Sequence, residues 1–170
     1  MKNTKKQLDT KRLTLISVLI AVAMILSYID SMIPAFVAVP GVKIGLSNIA
    51  TVFALYGLGW PYAICVSFVR VCLSALLFGN VESLFISFVG AFFALTGMIL
   101  ISKTKLFSTV GVSVVGGVLH NIGQVIAACI LLKTASLITY VIPLLISGTI
   151  AGVVIGIIAG NLVERVKKYI

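Results

Sequence analysis

A chain of 170 residues, 61% of them hydrophobic and 10% charged, with a mean hydropathy of +1.24, is too apolar for a soluble domain, in which about a quarter of residues are charged. The net charge of +9 would suit nucleic acid in a soluble protein. Here the basic residues lie at the chain ends and in short loops with no aromatic interleaving, so nucleic acid is excluded as a partner and the charges act as membrane-topology signals. What is left is an all-α integral membrane protein in the lipid bilayer: a single domain over residues 13–163, between a basic arm at 1–12 and a basic tail at 164–170.

The arm carries five basic residues and one acid directly ahead of an apolar run, which marks the cytoplasmic side. Helix 1 is predicted over 13–29 and is retained, because no small-residue cleavage site leads into a soluble mature domain. Ser17 and Ala21, and likewise Ala23 and Ser27, are four apart and form two overlapping ridges of small side chains. Such ridges suit either a docking partner or packing inside the bundle. Residues 30–42 contain Pro34 and a Pro40-Gly41 pair, which predict a loop folding back at the outer face. Helix 2 is expected from residue 43 or 44 to 59, with Asn48 one turn inside, and Pro61 opens helix 3 after a short turn.

Helix 3, residues 60–79, holds nineteen uncharged residues and one arginine, Arg70, almost at its centre. At ~1.5 Å per residue the run covers the ~30 Å hydrocarbon core, so Arg70 falls near the midplane. A guanidinium there costs between ~2.5 and ~17 kcal/mol, depending on the reference state, and must face other helices, water or an anion. Arg70 therefore either lines a polar cavity or bonds structurally to the carbonyls of a broken helix. Ser67 and Ser74 share its face.

Gly79-Asn80 breaks the chain, and helix 4 is predicted from residue 82 or 83 to 102. Glu82 sits in its first turn, where an acid complements the helix dipole, and serves either that start or a ligand; Asn80 is a further candidate for the ligand. Lys103 and Lys105 form the next loop. In helix 5, residues 106–132, Ser113, Gly117, His120, Asn121, Gln124 and Ala128 fall on one continuous face of small and polar side chains. That face either bonds between helices or lines a cavity, and three amide or imidazole groups in five residues favour the cavity. Helix 6, residues 139–163, contains Pro143 and then Gly148, Gly152, Gly156 and Gly160 at every fourth position, a stripe for close helix contact within this chain or with a partner.

Six helices with both termini cytoplasmic leave ten basic residues inside and two, Lys43 and Lys133, outside. Helices 3 and 5 then run outward, and Arg70, His120, Asn121, Gln124, Asn48, Lys43, Asn80 and Glu82 form a polar column from the outer mouth to mid-membrane. A pocket open outward and closed inward is expected, with Lys43 and Arg70 suited to an anionic small molecule. Cys65, Cys72 and Cys129 are expected as small core residues. No Cys/His spacing suits a metal, no motif calls for a cofactor, and no nucleophile and base, acidic cluster or phosphate loop supports catalysis by the chain alone.

The stretch PGVKIGLSNIATVFALYGLG at 40–59, an arginine in the next helix, the FGN turn and His120, Gly123 and Gln124 as H-x-x-G-Q resemble the Gx transporter family over roughly residues 12–165. That family is labelled heptaprenyl diphosphate synthase component I and is related to the substrate-binding S components of energy-coupling factor transporters. The resemblance implies a six-helix protein of the cell membrane that captures a vitamin-like or precursor molecule from outside and works with a transmembrane coupling subunit and cytoplasmic ATPases. It also implies that residues 30–42 close over the site and that Ser17, Ala21, Ala23 and Ser27 meet the coupling subunit. Relatives are associated with quinone- or flavin-linked electron transfer, which implies a scaffold role as an alternative, and the synthase label implies an accessory subunit for isoprenoid diphosphate synthesis as a third.

Overall fold

The computed structural model describes residues 2–32 (backbone alone for 2–9), 45–134, 136–166 and 168. The described residues form six α-helices: α1 Lys2–Met32, α2 Asn48–Gly57, α3 Trp60–Phe78, α4 Val81–Thr104, α5 Thr109–Leu132 and α6 Val141–Val166, with a 3-10 turn at Ser136–Tyr140 ahead of α6. Five of them, α2 excepted, are long and apolar enough to cross a membrane. Their outward faces carry large apolar side chains such as Leu76, Phe92, Leu100 and Ile142, the arrangement that hydrocarbon solvent requires and water penalises. The chain is a multi-pass membrane protein.

Local chemistry sets the breaks. Gly59 takes φ +109 between α2 and α3, and Pro61 fills the first turn of α3, where its missing N–H is not needed. The Asn80 side chain accepts a bond from the Ser83 N–H at 2.8 Å and caps α4, and Ser108 caps α5 through the Gly111 N–H at 3.3 Å. Lys103 lies 5.9 Å from the centre of the Trp60 ring, which puts the end of α4 level with the start of α3, as antiparallel neighbours.

Two boundaries differ from the sequence reading. First, α1 continues through the arm at one end and to Met32 at the other, so Asp30 is a helical residue and not the first of a loop. Second, α2 has ten residues instead of about sixteen, and seven of the ten are buried. At ~1.5 Å per residue it covers about half the hydrocarbon thickness. A helix apolar on all sides is stable only when enclosed, and α2 lies among α1, α3 and α6. The remaining helices neighbour one another as α1–α3–α4–α5–α6, with α2 between α6 and the α1/α3 pair.

The glycines of α6 meet α5 of the same chain. A β-carbon on Gly148 would lie 2.9 Å from the Gly117 carbonyl oxygen, on Gly152 2.6 Å from Val114 Cα, and on Gly156 2.6 Å from Val110 Cα. The partner-docking expectation for Gly148, Gly152 and Gly156 is thereby corrected: their missing side chains admit the α5 backbone. Gly160, opposite Thr109 at 3.8 Å, has room to spare. On α1 the ridges separate. Ser17 and Ala21 are exposed, whereas Ala23 and Ser27 are buried, so the second ridge packs inward and only the first faces out. The three cysteines are free, and Cys65 is exposed, so the reading of Cys65 as a core residue is corrected too.

Candidate functional site

Arg70 is 6% exposed, and it points into the bundle. One of its terminal nitrogens, Nη1, donates to the Ser47 hydroxyl at 2.6 Å. Ser47 stands at the N-terminus of α2, where its oxygen caps no backbone N–H and is available to the guanidinium. Two residues earlier Gly45 takes φ +89, a left-handed conformation that side chains with a β-carbon rarely adopt. That bend aims the N–H groups of Gly45 and Leu46 at one carboxylate oxygen of Asp30, at 2.8 and 3.1 Å. Asp30, 4% exposed, thus holds the turn ahead of α2 to the end of α1, with the charge sign that a helix N-terminus favours. It also acts coulombically on Arg70. The Gly45–Leu46–Ser47 turn ties α1, α2 and α3 together through backbone and side chain.

The same residues wall a cavity of about 10 Å³, with Ser27 and Asp30 from α1, Gly45, Arg70 and Ser74 from α3, Ser87 from α4, and His120 and Gln124 from α5. That volume holds about one water molecule. Gln124 is fully buried, and neither its amide oxygen nor its amide nitrogen has a hydrogen-bond partner among the described residues; nor do Nε and Nη2 of Arg70 or the Ser27 hydroxyl. Gly90 of α4 makes room for the α5 side chains: a β-carbon there would lie 2.7 Å from Gln124 Cγ and 3.2 Å from His120 Cε1.

Of the residues proposed from sequence, Arg70, His120 and Gln124 meet in this cavity. Asn48 is buried beside it, its amide nitrogen 3.1 Å from where a β-carbon on Gly45 would stand. Asn121 does not join them. The polar face of α5 is wide enough to divide, and Asn121 turns to α6, where it donates to the Leu144 carbonyl at 2.6 Å. Asn80 and Glu82 are exposed at the start of α4, away from the cavity, and Lys43 lies outside the described residues. Sequence reasoning gave Ser27 to a docking ridge and Asp30 to a covering loop, where the structure puts both in the cavity wall, and it missed Ser47 and Ser87. One signal was available for Ser27 and Asp30: Ala23, Ser27 and Asp30 fall three and four apart on one face, in a chain with only four acids.

A second cavity, of about 110 Å³, lies between α3 and α4 and is lined by Ile64, Phe68, Phe88, Phe92, other apolar side chains and the apolar part of Ser67. It presents carbon only and offers no group for polar recognition. Among the described residues no three His, Cys, Asp or Glu side chains gather as a metal site would require.

Gly45→Ala is expected to destabilise the fold by about 1–2 kcal/mol through its left-handed backbone. Gly57→Ala, on helical backbone with a β-carbon no nearer than 3.4 Å to the Phe53 ring, should be close to neutral. Thermal unfolding in detergent compares the two, and equal midpoints would remove the role given to the Gly45 bend.

No curated protein and no solved structure matches this sequence. A family model described as heptaprenyl diphosphate synthase component I matches residues 19–162, which include the whole described cavity, α1 from residue 19 onward and every later helix except the last four residues of α6, and the chain belongs to that family.

Proposed function

We propose that the chain is the membrane-embedded binding subunit of an uptake system of the energy-coupling-factor type, taking a small polar molecule from outside the cell membrane. The observation that supports this most is the convergence of unpartnered polar groups, the Arg70 guanidinium edge and the Gln124 amide, in one cavity at bilayer depth. Buried polar groups are almost always hydrogen-bonded, and each one left unmade costs about 1–3 kcal/mol. A helix bundle held together only for architecture gains nothing from orphaning them, whereas a ligand supplies their partners. The volume of about 10 Å³ corresponds to a closed form, so capture requires the α1 and α2 contacts at Asp30 to part.

In this reading both basic termini are cytoplasmic, the exposed Ser17–Ala21 ridge of α1 meets a coupling subunit, and ATPases supply the energy. The chain itself catalyses nothing.

Co-purification of the tagged chain with a membrane subunit and two ATPases, together with mass spectrometry of the released small molecules, tests the proposal. Gly90→Leu, which drives a side chain against His120 and Gln124, is expected to lower uptake at least tenfold with normal membrane insertion. A deletion strain that retains uptake but loses quinone-dependent electron transfer would move the assignment to a redox scaffold.

A further inference from the structure

The charges and free bonding edges of the cavity specify more than its existence. Among the described residues its lining holds one guanidinium, Arg70, and one carboxylate, Asp30. They are fastened to adjacent positions of one short turn, Asp30 to the N–H groups of Gly45 and Leu46 and Arg70 to the hydroxyl of Ser47. An oxygen accepting two backbone N–H bonds is the acceptor an ionised carboxylate provides. A group of opposite sign thus lines the same cavity as the Arg70 guanidinium.

The free edges are equally defined. With Nη1 spent on Ser47, Nε and Nη2 remain, and these form the side-on fork of the guanidinium, two parallel donors that match two adjacent acceptors. Gln124 offers one donor and one acceptor side by side. Its Cγ is hemmed against the α4 backbone at Gly90, so the amide has little freedom to turn away.

We infer that the group recognised in this cavity is uncharged: the planar edge of a cyclic amide or ureide, one carbonyl oxygen accepting from both N–H groups of the Arg70 fork and an N–H/C=O pair on the Gln124 amide, with Asp30 acting as the specificity residue that keeps simple anions out. This rests on the binding-site reading above and reverses the expectation of an anionic ligand. A carboxylate or phosphonate would match the fork, but it would bring a second negative charge into a low-dielectric space that Asp30 already lines.

The test uses the full chain in lipid nanodiscs at about pH 8, where free imidazole is neutral. Thermal midpoint and calorimetric titration are measured with uracil, 1,3-dimethyluracil, benzoate and phenylphosphonate. Uracil is expected to stabilise the wild type saturably with Kd on the order of 1 mM, as befits a fragment, and the other three to have no effect up to about ten times that concentration. Asp30→Asn keeps an oxygen for the Gly45 and Leu46 N–H groups and removes the negative charge, so benzoate should now bind at least about tenfold more tightly than to the wild type. Arg70→Gln should abolish both effects.

Benzoate outcompeting uracil on the wild type, or an Asp30→Asn variant with unchanged preference, overturns the inference while leaving a binding site in place. Binding of no probe by the wild type overturns it as well, as does uracil protection that survives Arg70→Gln. The uptake proposal is judged separately, by what co-purifies with the chain.

Discussion

Asp30→Ala is expected to loosen the end of the bundle where α1 meets α2, with a loss of about 3–5 kcal/mol, the range seen when a buried charge is left without its partner. Three consequences coincide at this residue. The Gly45 and Leu46 N–H groups lose the oxygen they share, the N-terminus of α2 loses a nearby negative charge, and Arg70 loses a carboxylate that lines the same cavity. These losses act on one turn and so do not add. Asp30→Asn retains the acceptor and should recover a large part of the stability, while Asp30→Ala combined with Arg70→Leu should recover part by removing the stranded charge. Unfolding in a denaturing detergent series reads all four proteins. An Asp30→Ala variant within about 0.5 kcal/mol of the wild type would mean that the α1–α2 tie carries little of the fold.

The second large effect is expected in the α5–α6 contact. Gly152→Ala introduces a β-carbon 2.6 Å from Val114 Cα and 3.0 Å from the Ser113 carbonyl oxygen. Both are backbone atoms of a helix and cannot swing aside. The two helices must separate, and the close packing that holds them in lipid, where no hydrophobic driving force acts between helices, is lost along the whole crossing. A loss of about 2–4 kcal/mol is expected. Gly160→Ala is the matched control, because its β-carbon meets nothing nearer than 3.8 Å and should change stability by less than about 0.5 kcal/mol. Equal midpoints for the two alanine variants would falsify the assignment of this stripe to internal packing.

The difference between these two glycines illustrates what sequence alone could not resolve. The repeat at every fourth position identifies a face, but the rotation of α6 about its axis and its crossing point with α5 decide which members of that face touch. The α5 stripe behaves the same way: His120, Asn121 and Gln124 are adjacent in helical projection, yet Asn121 bonds to α6 while the other two turn to the cavity, because side chains spread around a face meet different neighbours. Asn80 and Glu82 were drawn into the site by their level in the membrane and proved to belong to a helix start.

What the amino-acid order determined by itself is everything that depends on solvent. The length and apolarity of the runs specify membrane helices, the breaks at Gly59, Gly79 and the lysines near 105 and 133 specify their ends, and a lone arginine amid nineteen uncharged residues specifies that something polar encloses it. Only the tertiary structure decided what that something is. The enclosing groups are Asp30 and Ser47, forty and twenty-three residues from Arg70 in the chain, and they are brought beside it by a glycine bend and a buried half-length helix. Burial in hydrocarbon is a property of each segment separately, whereas pairing a charge requires two segments to meet, and no local pattern records which two.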